Sequence, residues 1–130
     1  MAAVLIVDDD QDSRELVARF LRKTGLVVHT APNGREALKI ILDRTPDIIV
    51  LDVMMPEMDG VELMQVLRAY LRWASLPIIL LTAYPTGPHV ERAEKLGMAC
   101  LFEKTNFRLP DLLNCIQKLI ADPHSKCSAG

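Results

Sequence analysis

The sequence predicts an α/β protein in which a five-stranded parallel sheet is flanked by five helices. Short runs of continuous apolar residues alternate five times with longer segments whose apolar residues have helical spacing. Continuous hydrophobicity is typical of a parallel strand that is covered on both faces. The length of 130 residues suits one domain with a single core. We assign residues 1–122 to that domain and expect a flexible tail or linker stub at residues 123–130.

Five strands are predicted from the apolar runs. Four of the runs are almost entirely apolar, as expected of buried strands. The run at residues 27–30 contains His29 and Thr30 and is more polar. The four apolar runs lie at residues 4–7, 48–51, 77–81 and 99–102. A polar second strand suits the edge of a sheet, and right-handed crossovers connect parallel strands. We therefore favour the strand order 2-1-3-4-5, which we recognise as that of flavodoxin-like folds.

Five helices are predicted between and after the strands. The first is expected to begin at Asp12 and Glu15, which resemble a capping box, and to end near Gly25. The other four are predicted at residues 35–45, 60–73, 90–96 and 109–121. Their apolar stripes should face the sheet, and the expected inward-facing residues of the first three helices include Leu16, Leu42 and Leu71.

Composition narrows the classes of partner and the cellular location. Fifteen basic and seventeen acidic residues give a formal charge of −2, which provides no basic field for nucleic acid or for a membrane surface. Cys100, Cys115 and Cys127 lack the paired spacing of a zinc site or a redox dithiol, so we expect unpaired thiols in a reducing compartment. The N-terminus lacks the features of a signal peptide, and a cytoplasmic location is expected.

Polar side chains follow four of the predicted strands. Asp8 and Asp9 follow the first strand, Asp52 the third, Thr82 the fourth and Lys104 the fifth. Open parallel sheets bind ligands beyond the carboxyl ends of their strands, so these side chains should meet at one edge. Three carboxylates in one place raise one another's pKa, and a hard divalent cation relieves that conflict. The cluster predicts a site for Mg²⁺, or for Mn²⁺, beside a phosphoryl group.

The same cluster suggests phosphoryl-transfer chemistry. If Asp8 and Asp9 hold the metal, Asp52 is free to act as a nucleophile and to form an aspartyl phosphate. The ammonium of Lys104 would neutralise one phosphoryl oxygen, and the hydroxyl of Thr82 would donate to another.

Four local strings resemble the receiver domain of two-component response regulators, and the resemblance covers about residues 3–121. The strings are VLIVDDD at 4–10, DVMMPEMDG at 52–60, LTA at 81–83 and EK at 103–104. The resemblance implies that Asp52 is the phosphoacceptor and also contacts the metal. It further implies that Asp9 is a direct metal ligand, that Asp8 binds the metal through water, and that Met54 adds its backbone carbonyl.

The resemblance also implies how the site would work in signalling. Thr82 would be the switch hydroxyl and Lys104 the phosphoryl-binding lysine. The phosphodonor would be a histidine on a sensor kinase or on a histidine phosphotransfer protein. The receiver would catalyse the transfer to itself and would act as a switch rather than as an enzyme. Its output surface, made by the fourth helix, fifth strand and fifth helix, would contact an effector domain, a downstream protein or a second phosphorylated copy.

Two positions depart from the pattern of the family. Thr105 follows Lys104 where the family usually has a proline, often with a cis peptide bond, and a cis bond to a non-proline residue costs about 3 kcal/mol. Leu101 stands where the family usually has a tyrosine or phenylalanine. Phe102 is adjacent, but neighbouring strand residues point to opposite faces, so it cannot simply substitute. We expect altered coupling between Thr82 and the output surface.

Other functions stay open. A constitutive docking module that does not switch by phosphorylation would be consistent with Leu101 and Thr105. A phosphatase with an aspartyl-phosphate intermediate would normally have a second carboxylate two residues after its nucleophile, where this chain has Met54. A flavin-binding protein would fit the fold, but the acidic cluster would repel the phosphate of the cofactor.

Overall fold

The computed structural model describes residues 2–55 and 58–124. In these residues five strands alternate with five α-helices, which confirms the predicted fold class. The strands are β1 (Ala3–Val7), β2 (Val27–Ala31), β3 (Ile48–Leu51), β4 (Ile78–Thr82) and β5 (Cys100–Glu103). The helices are α1 (Gln11–Lys23), α2 (Gly34–Asp43), α3 (Gly60–Arg68), α4 (Pro88–Lys95) and α5 (Leu109–Ala121). Residues 125–130 of the expected tail lie outside the described residues.

The five strands form one parallel sheet in the order β2-β1-β3-β4-β5. This is the predicted order. The polar strand β2 lies at one edge and has mixed burial, whereas every residue of β3 and β4 is buried. The described residues contain no helix long and apolar enough to cross a membrane.

Both faces of the sheet are covered. Val4 and Ile6 of β1 pack in a cluster with residues of α1 and α5, whereas Leu5 and Val7 pack with residues of α2, α3 and α4. All four side chains are at most 1% exposed. Complete burial of one such side chain contributes about 1.5–3 kcal/mol, so the alternation along β1 stabilises both layers.

The third helix is shorter than predicted. It ends at Arg68, and a short 3-10 helix follows at Leu71–Trp73. The guanidinium of Arg68 donates to the backbone carbonyl of Trp73 (2.8 Å), which fixes this turn. Trp73 is buried as a result, and Leu71 is 97% exposed. The prediction that Leu71 faces the sheet is therefore wrong.

Two further predictions about helices are wrong. Leu16 and Leu42 are 55% and 54% exposed, because they lie at the margins of their apolar stripes. Helix α1 has Asp10 as its N-cap residue, without a side-chain cap, so the predicted capping box is not formed. The chain turns earlier than expected because the backbone N–H of Asp10 donates to Oδ1 of Asp8 (2.9 Å).

Of the three cysteines, Cys127 lies outside the described residues and Cys115 is buried on α5. Cys100 is a buried thiol at the start of β5, and burial raises its pKa to about 11.

Candidate functional site

The register of the sheet places two aspartates side by side. Val7 pairs with Leu51, so β1 and β3 end at the same level. The backbone N–H of Asp52 donates to the carbonyl of Val7 (2.9 Å), and Asp8 and Asp52 follow directly after the two strands. Asp8 is 3% exposed and Asp52 is 5% exposed, whereas Asp9 is exposed to solvent.

Three carboxylates meet at this edge of the sheet. One oxygen each of Asp8, Asp9 and Asp52 lies within 4.8 Å of the other two. The donors are all hard oxygen atoms, and two of the carboxylates are buried, which fits the ligand preference of Mg²⁺. The residues could therefore hold a divalent cation. The backbone N–H of Met54 donates to Oδ1 of Asp52 (3.1 Å), and a metal-binding role for its carbonyl stays a prediction.

The end of β5 adds a positive charge to the cluster. The backbone N–H of Lys104 donates to the carbonyl of Thr82 (2.8 Å), which fixes the lysine beside β4. Its Nζ lies 2.8 Å from a carboxylate oxygen of Asp8 and 3.1 Å from Oδ2 of Asp52. The lysine side chain is only 15% exposed. The predicted convergence of Asp8, Asp9, Asp52 and Lys104 is therefore present.

Burial sets the protonation behaviour of the central aspartate. Removal of Asp52 from water raises its pKa, while the N–H of Met54 and the charge of Lys104 act in the opposite direction without cancelling the effect. Burial alone would lower the pKa of Lys104, but its hydrogen bonds to Asp8 and Asp52 and their charges raise it overall. A cation bound at the carboxylates would favour the ionised form of Asp52.

Thr82 lies at the end of β4 and is completely buried. Its Oγ1 accepts a hydrogen bond from the backbone N–H of Tyr84 (3.1 Å). Within residues 2–55 and 58–124 the hydroxyl forms no hydrogen bond to Asp52. The structure therefore brings Thr82 to the predicted edge, with its hydroxyl engaged by the following loop.

Sequence reasoning missed two residues that shape the site. Arg14 of α1 donates to the backbone carbonyl of Asp8 (2.6 Å). Gly60 begins α3 so close to β3 that a Cβ atom there would lie 2.6 Å from Cα of Val53 and 2.7 Å from the carbonyl oxygen of Asp52. The Asp59-Gly60 pair was available as a signal, but such a pair is more often only a turn.

The two departures from the family pattern have clear structural outcomes. No cis peptide bond occurs in the described part of the chain, so Lys104 and Thr105 are joined by a trans bond. Leu101 pairs with Leu80 and packs on the α2, α3 and α4 side of the sheet. Phe102 belongs to the core on the opposite face, which confirms that it does not occupy the place of Leu101.

A five-stranded parallel sheet with an acidic cluster and a lysine beyond its carboxyl ends defines the class of signalling receiver domains. The family model described as the response regulator receiver domain matches residues 4–117. The chain belongs to this family.

The chain is also similar to individual sequence relatives. An uncharacterized 14.6 kDa protein of Leptolyngbya boryana is 46% identical over 94 residues, which is 72% of each chain. The response regulator MprA of Mycolicibacterium vanbaalenii is 48% identical over 80 residues, covering 62% of this chain. Those residues make up 34% of MprA, so the match spans about one third of that longer regulator.

Solved structures show the same architecture. The signal receiver domain of a signal transduction histidine kinase from Syntrophus aciditrophicus has a TM-score of 0.84 and 30% identity, and the match covers 93% of this chain and 91% of that one. The chemotaxis protein CheY4 of Vibrio cholerae has a TM-score of 0.81 and 34% identity, with 91% and 98% of the two chains covered.

Proposed function

We propose that this receiver domain accepts a phosphoryl group on Asp52 from a phosphohistidine. The donor would be a sensor histidine kinase or a histidine phosphotransfer protein, in keeping with the family. The observation that carries the proposal is the position of Asp52, which lies among the carboxylates of Asp8 and Asp9 and is hydrogen-bonded to Lys104. An acceptor carboxylate in this position has two further carboxylates that could hold a cation, and an ammonium within hydrogen-bond distance.

The proposed cation is Mg²⁺ or Mn²⁺, held by the carboxylates of Asp8, Asp9 and Asp52. The backbone carbonyl of Met54 would add a further oxygen ligand. When bound, the cation would supply positive charge to the transferring phosphoryl group. The proximity of the three carboxylate oxygens supports this part of the proposal.

Each remaining residue has a role that follows from its chemistry. A carboxylate oxygen of Asp52 forms the new bond to phosphorus, the bond from phosphorus to the histidine nitrogen breaks, and the electron pair stays on that nitrogen. Lys104 donates to a phosphoryl oxygen through its ammonium. The hydroxyl of Thr82 donates to a second oxygen once it turns toward Asp52.

The protein would be a self-phosphorylating cytoplasmic switch rather than a turnover enzyme. Its output would reach an effector domain, a downstream protein or a second copy through the surface of α4, β5 and α5. A constitutive docking module is the second candidate, because Leu101 is aliphatic and Thr105 replaces a proline. The phosphatase alternative is less well supported, since Met54 has no carboxylate to serve as an acid or base.

Beryllium fluoride, a mimic of an acyl phosphate, tests the proposal directly. We expect beryllium fluoride, added in the presence of Mg²⁺, to change the amide NMR shifts of Asp52, Met54 and Lys104 beyond the change that Mg²⁺ alone produces. The changes should disappear in Asp52→Asn and persist in Asp43→Asn, which removes an exposed carboxylate on α2. Equal changes in Asp52→Asn, or none in the wild type, would refute the proposal. A partner that binds equally well with and without the mimic would favour the docking module.

A further inference from the structure

We propose that His89, in the first turn of α4, is a positioning residue for Thr82 and acts through the backbone of Tyr84. The inference rests on the proposed function, because it describes how the hydroxyl of the phosphoryl site is linked to α4. It concerns a histidine outside the cluster of Asp8, Asp9, Asp52 and Lys104.

The first link of this connection joins Thr82 to Tyr84. The backbone of Thr82 is fixed, because it belongs to β4 and its carbonyl accepts from the N–H of Lys104 (2.8 Å). Its side chain is completely buried, and Oγ1 accepts from the N–H of Tyr84 (3.1 Å). The position of the hydroxyl therefore depends on the orientation of the Tyr84 backbone.

The second link joins Tyr84 to His89. Nε2 of His89 lies 2.7 Å from the carbonyl oxygen of Tyr84. A carbonyl oxygen only accepts, so we assign the proton to Nε2 of the imidazole. Tyr84 is 61% exposed, and both hydrogen bonds that join it to these neighbours are made by its backbone. The N–H of Tyr84 is engaged by Thr82 and its C=O by His89.

A side chain at residue 87 would crowd the imidazole of His89. A Cβ atom on Gly87 would lie 3.2 Å from Cε1 and 3.3 Å from Nδ1 of His89. Gly87 also has a φ of 117°, a conformation that residues with side chains rarely adopt. As the N-cap residue of α4 it provides no side-chain cap, so the His89 bond ties the first turn of the helix to the preceding loop.

These contacts define a polar route from the phosphoryl site to α4. When the Thr82 hydroxyl turns toward a phosphoryl oxygen on Asp52, it releases the N–H of Tyr84, and the loop can then move the carbonyl that His89 holds. Leu101, on β5, has no polar side-chain atom with which to follow the hydroxyl. The route through His89 therefore couples Thr82 to helix α4 without a β5 aromatic residue.

The first experiment follows the imidazole of His89 by NMR with beryllium fluoride and Mg²⁺. We expect the Nε2 and Nε2–H resonances of His89 to shift in the wild type and to stay unchanged in Asp52→Asn. The ring of His124 provides an internal control, because it lies beyond α5 and is exposed. If the amides of Asp52 and Met54 shift but the His89 ring does not, this inference is wrong and the proposed function stands. If no amide at the site shifts, the proposed function fails, and the inference fails with it.

A conservative variant separates positioning from a general structural role. Glutamine can donate from its own Nε2, whereas alanine cannot. The measurement is the change in the amide shifts of Val90 and Ala93 in α4 on addition of beryllium fluoride and Mg²⁺, divided by the change at Asp52. This ratio should fall at least twofold in His89→Ala and recover in His89→Gln. His124→Ala should respond as the wild type does. Equal responses in His89→Ala and the wild type, or a loss that glutamine does not restore, would overturn the inference.

Discussion

Lys104 donates a hydrogen bond of 2.8 Å to the carboxylate of Asp8, a residue 96 positions earlier in the chain. The same ammonium lies 3.1 Å from Oδ2 of Asp52. Two buried carboxylates therefore share one lysine, and both also belong to the group that could hold a cation. The lysine and a divalent cation compensate the same negative charges. Each of them therefore reduces the electrostatic free energy that the other gains from binding the two carboxylates.

Removal of the lysine should strengthen cation binding while it impairs phosphorylation. In Lys104→Met the carboxylates of Asp8 and Asp52 lose their positive neighbour, and we expect the affinity for Mg²⁺ to rise about five- to tenfold. Labelling by acetyl phosphate should fall at least tenfold, because a phosphoryl oxygen loses its ammonium. Mg²⁺ titrations followed by amide shifts would measure the first effect. Lys95→Met, at an exposed lysine of α4, should change neither, and an unchanged Mg²⁺ affinity in Lys104→Met would contradict the idea of shared charge.

The buried charge of Asp52 should reduce stability in the absence of metal. Burial raises its pKa in the folded state, so the carboxyl is easier to ionise in the unfolded chain, and folding stability is lost as the pH rises. The loss is absent below the unfolded pKa of about 3.9 and complete above the folded pKa. Asp52→Asn should therefore raise the free energy of unfolding at pH 7 and change it far less at pH 3.5.

Urea denaturation in the presence of a chelator would measure this difference at both pH values. Asp43→Asn provides the matched exposed substitution and should have little effect at either pH. A saturating concentration of Mg²⁺ should stabilise the wild type more than Asp52→Asn and reduce the gap between them. A wild type that is more stable than Asp52→Asn at pH 7 without metal would show that the lysine outweighs the cost of burial.

Arg68 connects three segments and should be important for stability. Its guanidinium donates hydrogen bonds of 2.8 Å to the carbonyl oxygens of Leu96, Gly97 and Trp73. Arg68→Met should lower the free energy of unfolding by about 2–3 kcal/mol, because these acceptors lose a charged donor. Lysine lacks the planar fork and should recover less than half of the loss. Thermal and urea unfolding would measure the stability of these variants. Arg92→Met, at an exposed position of α4, is the control. Equal stability of Arg68→Met and Arg92→Met would contradict the prediction.

Residues 101 and 102 should differ in their contribution to the core. Phe102 is 5% exposed and packs edge-to-face against Phe107, with ring centroids 6.3 Å apart. Phe102→Ala should cost about 3–4 kcal/mol. Leu101 is only partly buried, so Leu101→Ala should cost about half as much. Urea denaturation would measure the free energy of unfolding of both variants, and each variant serves as the control for the other. A larger loss of stability in Leu101→Ala than in Phe102→Ala would mean that the register of β5 is wrong.

Much of the fold and the site could be predicted because both depend on local patterns. Continuous apolar runs mark buried parallel strands, and the predicted runs differ from the observed strands by at most one residue at either end. The positions of Asp8, Asp52 and Lys104 follow from the rule that the carboxyl ends of parallel strands meet at one edge.

The incorrect predictions depend on contacts that sequence spacing does not contain. Helical spacing identifies an apolar stripe but not its margins, which is why Leu16 and Leu42 were wrongly placed inside. The end of α3 depends on Arg68, whose partner Leu96 is 28 residues away. The hydrogen bond from His89 to the carbonyl of Tyr84 was not predicted; it is local in sequence, but Gly87 between the two residues has a φ of 117°, which composition alone does not reveal.

The late position of Lys104 in the chain has a consequence for how the protein folds. A partly folded form that contains β1 and β3 but lacks β5 would bury Asp8 and Asp52 without the ammonium that compensates them, and an unpaired buried charge costs several kcal/mol. Such intermediates are therefore disfavoured. When β5 joins the sheet, it also brings the ammonium of Lys104 to the two carboxylates. The groups proposed for signalling thus make folding more cooperative, and a chain that has not completed its sheet lacks part of the proposed phosphoacceptor site.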